Sequence, residues 1–282
     1  MVRQDSSFVL TGFADEIAPD LETQLDVLDE LGIEYLDLRS VDDTNVLDLS
    51  DGSVERIKQT LDERGFEVSS IGSPIGKVDI TADFEKHRDR FERALSVAEA
   101  FETEYIRIFS YYIPEGEDPA DYREEVLHRM QTKAEMAERR EITLLHENEK
   151  DIYGDTAERC YDIMTAVDSP YLRAIFDPAN YVEIDVQSYP DALIQQIEYV
   201  EFLHIKDAVF GKRGEIVPPG EGDASITAVL EAFKNRGFHG FVSLEPHLVD
   251  AGPKGGYSGP EAFRTASNAL TDILDRLDVQ YR

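Results

Sequence analysis

The sequence predicts a closed α/β barrel of eight parallel strands, one domain over residues 1–282. Three observations carry this. Strand-like and helix-like segments alternate along the whole chain with no composition break, and such alternation calls for a parallel sheet. The alternation makes eight β–α units in 282 residues, where about 250 residues is typical of an eightfold barrel. The turn after the first strand, Ala14-Asp15-Glu16-Ile17-Ala18-Pro19, is acidic and lacks glycine. An open doubly wound sheet would place a Gly-rich turn there.

Taken in order, Phe8–Phe13 is the first strand, and Leu21, Leu25, Val27, Leu28 and Leu31 recur at helical spacing up to the C-capping Gly32. Tyr35–Leu38 is the second strand, with a helix over Val54–Arg64 that ends before Gly65. Val68–Ile71 precedes a long helix over Asp83–Phe101, and Tyr105–Phe109 precedes one over Pro119–Arg139. The last four strands are the apolar runs Thr143–Asn148, Leu172–Asp177, Val200–Asp207 and Phe241–Glu245. Their helices are expected near Thr156–Val167, Tyr189–Ile197, Ser225–Arg236 and Pro260–Leu277. Two longer loops, Ala208–Asp223 and Leu248–Gly259, follow the seventh and eighth strands and would overhang the catalytic face of a barrel.

Composition excludes several classes. There are 59 acidic and 28 basic residues, a formal net charge of -31, and 19 of the basic residues are Arg. Phosphate backbones and anionic membranes would be repelled, so neither nucleic acid nor membrane is an expected partner. The acidic residues are spread along a chain whose apolar periodicity is intact, which argues against disorder. A solvated acidic surface suits a high-salt interior, where screening mutes self-repulsion. Thermal unfolding followed against KCl concentration checks this: stability should rise with salt, and a flat profile would sink the idea. The single Cys160 allows no intrachain disulfide, which fits a reducing cytoplasm. No run has membrane-spanning length.

The chemistry gathers at the ends of the last four strands, which close on Glu147, Asp177, His204 and Glu245. If those strands are parallel neighbours, three carboxylates and an imidazole meet at one point. Each alone has an ordinary structural reading, as a helix N-cap, a turn former or a core His. Four such coincidences at successive strand ends point to one divalent metal ion. The oxygen-rich set suits Mn²⁺ or Mg²⁺, with Co²⁺ or Zn²⁺ admissible. A metal gripping two vicinal oxygens of a sugar polarises the carbonyl and acidifies the adjacent C–H. Glu147 and Glu245, on strands five and eight, would then remove and deliver the proton.

Other residues offer substrate contacts with structural alternatives beside them. Asn180 either hydrogen-bonds a substrate hydroxyl or caps its turn. Lys206 and Asp207 form either a local ion pair or a substrate contact. His247 adds a second imidazole, and Lys77 a cation after strand three. Arg107 and Arg39 lie on strands and are tolerated inside a barrel only where paired.

The motifs carrying these residues are Gly12-Phe13-Ala14-Asp15-Glu16, Ser73-Pro74-Ile75-Gly76-Lys77, Arg107-Ile108-Phe109-Ser110, His146-Glu147-Asn148-Glu149, Phe176-Asp177-Pro178-Ala179-Asn180, His204-Ile205-Lys206-Asp207, Gly220-Glu221-Gly222-Asp223 and Ser243-Leu244-Glu245-Pro246-His247. Through them the chain resembles the sugar phosphate isomerase/epimerase family, the xylose-isomerase-like (β/α)8 TIM barrels. The resemblance implies one divalent ion on Glu147, Asp177, His204 and Glu245, proton transfer by the two glutamates through an enediolate, and a dimer or tetramer. One position departs: the ketose epimerases of the family carry His where this chain has Asn180. The expected function is metal-dependent isomerisation or epimerisation of a sugar, keto-sugar or related polyol. Dehydration of an inosose-like substrate is the alternative within the same chemistry. Phosphodiester hydrolysis is disfavoured by six histidines and a charge of -31, and a non-catalytic sugar-binding barrel by the intact glutamate pair.

Overall fold

The computed structural model describes residues 7–248 and 258–282. Its strands are β1 (Ser7–Gly12), β2 (Tyr35–Leu38), β3 (Glu67–Ile71), β4 (Tyr105–Ile108), β5 (Thr143–Glu147), β6 (Leu172–Phe176), β7 (Val200–Ile205) and β8 (His239–Leu244). All are parallel. The ladder runs from β2 through β3 to β8 in sequence order and then to β1. Between β1 and β2 the described pairing is a single bridge, Phe13 to Asp37, which closes the barrel, while the C-terminal strand Gln280–Tyr281 pairs in parallel with Ser7–Phe8 at the same seam. The expected fold is therefore the observed one.

The helices α1 (Leu21–Glu30), α2 (Asp51–Arg64), α3 (Phe84–Ala100), α4 (Pro119–Glu138), α5 (Ala157–Val167), α6 (Pro178–Val182), α7 (Leu193–Gln196), α8 (Ile226–Asn235) and α9 (Gly259–Arg276) cover the outside. Most begin on a side chain that satisfies a free N–H: Asp20 caps Thr23, Ser50 caps Ser53, Asp83 caps Glu85 and Asp118 caps Ala120.

One segment departs from expectation. The single helix expected over Tyr189–Ile197 is replaced by α6, a π turn over Ser188–Ala192 and the short α7. Asp177 and Pro178 start a helix immediately after β6, because Asp is a strong N-cap and Pro is favoured at the first helical position. Tyr189 is extended, as the residue before a proline tends to be. Two short hairpins that the sequence did not announce pair Ser40–Val41 with Thr44–Asn45 and Asp207–Ala208 with Ile216–Val217. The loop expected over Leu248–Gly259 lies largely outside the described residues. No helix among the described residues is long and apolar enough to cross a membrane.

Inside the barrel, Leu145, Ile175 and Phe202 form a buried floor with Tyr105 and Phe241 against it. Side chains on a strand alternate faces, so a residue two positions further along points to the same interior. Two residues past Leu145, Ile175 and Phe202 stand Glu147, Asp177 and His204. Two past the buried Ser243 stands Glu245. The strand period alone thus turns all four groups inward, one layer above the floor.

The outer layer contains an anomaly. Lys133 on α4 is fully buried, with Nζ 3.5 Å from the Phe109 carbonyl and 4.6 Å from the Tyr111 ring centre. Burial lowers its pKa to about 7, and the Arg129 charge adds to this. The folded pKa lies below the unfolded one, so between about 7 and 10.5 the unfolded chain holds a proton that the native state lacks. Stability contributed by this site therefore rises with pH across that window. Lys133→Met should stabilise by roughly 1–2 kcal/mol at pH 7, because the buried amine loses hydration without a strong acceptor. Melting curves at pH 7 and 9 check it, since the variant's gain should shrink at the higher pH.

Candidate metal centre

Glu147 closes β5, Asp177 follows β6, His204 lies near the end of β7 and Glu245 follows β8. One ligand atom from each lies within 4.8 Å of all the others, and all four residues are buried. His204 Nδ1 stands 3.1 Å from Glu147 Oε1 and 3.5 Å from Glu245 Oε2. Asp177 divides its two oxygens. Oδ1 caps α6 by accepting from Ala179 N (2.9 Å) and Asn180 N (3.0 Å), while the buried Oδ2 has no hydrogen bond of good geometry. These are the donors a hard or borderline divalent ion takes: carboxylate oxygens and one imidazole nitrogen, with one oxygen left over. The residues fit the ion that the sequence implied.

Two buried cations, Lys206 and Arg107, and the half-buried Arg39 balance the carboxylates. Lys206 Nζ lies 3.0 Å from Asp177 Oδ2 and 3.6 Å from Glu245 Oε2. Arg107 reaches Glu147 Oε2 at 3.2 Å and Glu245 Oε1 at 3.4 Å. Arg39 reaches the same Glu245 oxygen at 3.3 Å and donates to Asp15 at 2.7 Å. Both guanidinium groups stand 4.7 Å from the centre of the Phe13 ring, within cation–π range.

These contacts set the protonation states. Burial pushes Glu147 upward, but His204 and Arg107 outweigh it and hold the carboxyl at about 2. Burial likewise opposes ionisation of Glu245, which Lys206 and His247 carry well below the usual range. Asp177 is pushed up to about 6, chiefly by burial, with Lys206 opposing and the two glutamates adding to the rise. Burial depresses His204, yet Glu147 and Glu245 raise it to about 10. The negative charge that favours a proton on His204 would equally favour a metal cation, which would have to displace that proton to bind the ring.

The expected substrate contacts divide into those that join the cluster and those that do not. Lys206 and Arg107 join it. Asn180 donates from Nδ2 to Asn148 O (2.8 Å) and Glu147 Oε1 (3.3 Å), so it holds a glutamate of the set, and its Oδ1 is buried without a partner. His247 Nε2 lies 3.4 Å from Glu245 Oε1. Lys77 is set back, paired with Glu149 at 2.9 Å and lying 4.3 Å from the Phe109 ring centre. Asp207 corrects the expectation. The same alternation that aims His204 and Lys206 inward turns Asp207 away, and its carboxylate accepts from the N–H groups of Ala208, Gly220, Gly222 and Ala224.

Two groups escaped the sequence reading. Glu16 is fully buried. Its Oε2 accepts from His247 N and Ser258 Oγ, both at 2.8 Å, and its Oε1 lies 3.2 Å from His247 Nε2. The sequence placed Asp15 and Glu16 after β1, but within a 3₁₀ turn, where strand alternation does not say which of them faces in. Asp37, buried on β2, accepts from Ser70 and Ser243. It lay inside a strand, where nothing in the sequence separated it from a solvent-facing aspartate.

Comparison with known proteins agrees with this architecture. The chain is 23% identical over 234 residues to a 3-dehydroshikimate dehydratase of Bacillus anthracis, covering 77% of this chain and 81% of that one. It is 23% identical over 242 residues to a probable L-ribulose-5-phosphate 3-epimerase of Mycoplasma pneumoniae, covering 84% and 75%. Its fold matches the crystal structure of the IolI protein with a bound zinc atom, at a TM-score of 0.78 and 17% identity over 96% of this chain and 99% of that one. The family model described as xylose isomerase-like TIM barrel matches residues 25–273. The chain belongs to the xylose isomerase-like TIM barrel family.

Proposed function

We propose that the protein is a divalent-metal-dependent isomerase or epimerase acting on a sugar, keto-sugar or related polyol. The carrying observation is the way Glu147 and Glu245 divide their oxygens. Glu147 turns Oε1 and Glu245 turns Oε2 toward His204, while the opposite oxygens converge on one guanidinium nitrogen of Arg107. Each carboxylate can thus serve a cation with one oxygen and a substrate C–H with the other. A bound divalent ion would supply Lewis acidity toward vicinal substrate oxygens. Glu147 and Glu245 come from β5 and β8 and reach the substrate from different sides, so one can take a proton and the other return it at the next carbon or the opposite face. Arg107, bridging both, holds the two carboxylates in register and helps keep Glu147 ionised, and its positive charge favours the anion that forms.

The donor set is rich in oxygen, which favours Mn²⁺ or Mg²⁺. Dehydration is the second reading, favoured by the likeness to a 3-dehydroshikimate dehydratase; it would use the same proton abstraction and then expel a β-hydroxyl. A reducing cytoplasm suits the single cysteine, which is buried against α6 in contact with Tyr181. The test is a deuterium-exchange screen of the metal-loaded protein against ketoses, aldoses and inososes in D₂O. Exchange with unchanged product mass supports isomerisation, and loss of water supports the dehydratase. No C–H exchange across the panel would sink the enolisation reading.

A further inference from the structure

We propose that Glu16 is a positioning residue, which seats His247 and through that ring sets the oxygen of Glu245 that serves the substrate; this rests on the enolising reading of Glu245 above. The chain leaving β8 is still tied to β7 at Glu245, whose N–H donates to Ile205 O at 3.2 Å. Pro246 has no N–H to donate. The next donor along the chain is His247 N, and Glu16 Oε2 accepts it at 2.8 Å. The same Oε2 accepts from Ser258 Oγ at 2.8 Å, and the Glu16 carbonyl accepts from Ser258 N at 3.0 Å. Glu16 is itself well anchored. It is fully buried in the 3₁₀ turn that follows Phe13, and Phe13 N donates to Leu244 O at 3.0 Å. The exit of β1 therefore fixes the exit of β8 on both sides of Glu245.

His247 has a left-handed backbone, with φ 47°. That conformation is uncommon outside glycine, although His adopts it more readily than most residues. The turn brings the ring back to Glu245 instead of carrying it onward. Nε2 comes to 3.2 Å from Glu16 Oε1 and 3.4 Å from Glu245 Oε1. Both are contacts at ion-pair distance, and with neither oxygen is the alignment that of a hydrogen bond. The ring lies between the two carboxylates, while Glu16 holds the backbone that carries it.

Oε1 is the Glu245 oxygen turned away from His204, the one assigned above to the substrate C–H. Arg39 and Arg107 reach it as well, at 3.3 Å and 3.4 Å. Three groups thus share that oxygen, and Glu16 governs the share that runs through His247. Arg39 also stands 4.0 Å from Glu16, so a second route joins the two carboxylates. The routes separate in a double-variant cycle, because residues acting in series show non-additive effects.

The experiment compares Glu16→Gln, His247→Gln and the double variant by deuterium exchange, Mn²⁺ titration and melting temperature. Gln at position 16 keeps an oxygen for His247 N and Ser258 Oγ but turns an NH₂ group to the ring. Each single variant should lower kcat about ten- to a hundredfold, the range for removing a group that supports a metal ligand. KM and the Mn²⁺ Kd should move less than about threefold, as for an interaction that matters in the transition state. The double variant should be no slower than the slower single one. Ser258→Ala removes the other side-chain partner of Glu16 Oε2; it should lower the melting temperature and leave kcat unchanged, which a merely structural Glu16 would not allow. Effects that multiply in the double variant, or a kcat loss in Ser258→Ala equal to that in Glu16→Gln, overturn the inference. Where Glu16→Gln fails to fold, Glu16→Asp, one methylene shorter, takes its place. A second arm needs no turnover: ¹⁵N-histidine NMR of the Mg²⁺-loaded protein, with the His247 ring signal assigned by its loss in His247→Gln. That signal should shift more in Glu16→Gln than in Ser258→Ala, and a signal that Glu16→Gln leaves in place overturns the inference. A shift without C–H exchange in the wild type upholds the seating of His247 and sinks the enolisation reading instead.

Discussion

Glu147→Gln and Glu245→Gln are each expected to lower the deuterium-exchange rate by about 10²–10⁴, the usual worth of a positioned general acid or base. Glutamine keeps the shape and one oxygen, so each variant should retain the barrel and a divalent ion while losing the proton acceptor. The two should differ in stability. Glu245 is approached by Arg39, Arg107, His204, Lys206 and His247 at 3.3–3.6 Å, whereas Glu147 faces His204, Arg107 and Asn180. Neutralising Glu245 strips charge from more buried cations, and uncompensated buried charge is strongly destabilising. Glu245→Gln should therefore melt below Glu147→Gln. Exchange rates, metal content and melting temperature of the two purified variants provide the check. Turnover within tenfold of wild type in either one would refute the two-base scheme.

The second large effect is expected from a residue that touches no metal ligand atom. Asn148 donates from Nδ2 to the Asp177 carbonyl (2.9 Å) and accepts from Asp177 N at Oδ1 (3.0 Å). Its side-chain amide thus behaves as one more peptide unit, continuing the β5–β6 ladder past the register Glu147–Ile175 where it ends. This fixes the span between Glu147 and Asp177. Asn148→Ala leaves both backbone groups of Asp177 buried and unmet. Metal affinity should fall about 10- to 100-fold, the usual cost of losing an outer partner of a ligand. Titration with Mn²⁺ checks this. Retained affinity would show that the strands alone hold the spacing.

How much of this was legible beforehand follows from which physical signals are local. Glu147, Asp177, His204 and Glu245 were readable because each ends a β-prone run, and two-residue periodicity fixes the face. The same rule applied one residue further predicted that Asp207 turns away from Lys206, and reading both as substrate contacts ignored it. Glu16 was not legible as a participant because Ala14–Glu16 is a 3₁₀ turn, where no simple period says whether Asp15 or Glu16 faces in. The broken helix after β6 was partly announced by Pro178 and Pro190. The closeness of Arg39 to Glu245, 206 positions apart, depends on how the barrel closes and has no local signature.

The closure itself divides the molecule's tasks. All four candidate ligands lie at the C-terminal ends of β5 to β8, a continuously laddered half whose register one substitution cannot shift without moving its neighbours. The groups at the β1–β2 seam, Asp15, Glu16 and Arg39, stand where a lone bridge joins the strands. Arg39 nevertheless reaches Glu245 at 3.3 Å, and Glu16 holds His247 beside the same carboxylate. Through those contacts the least laddered part of the barrel bears directly on the candidate centre.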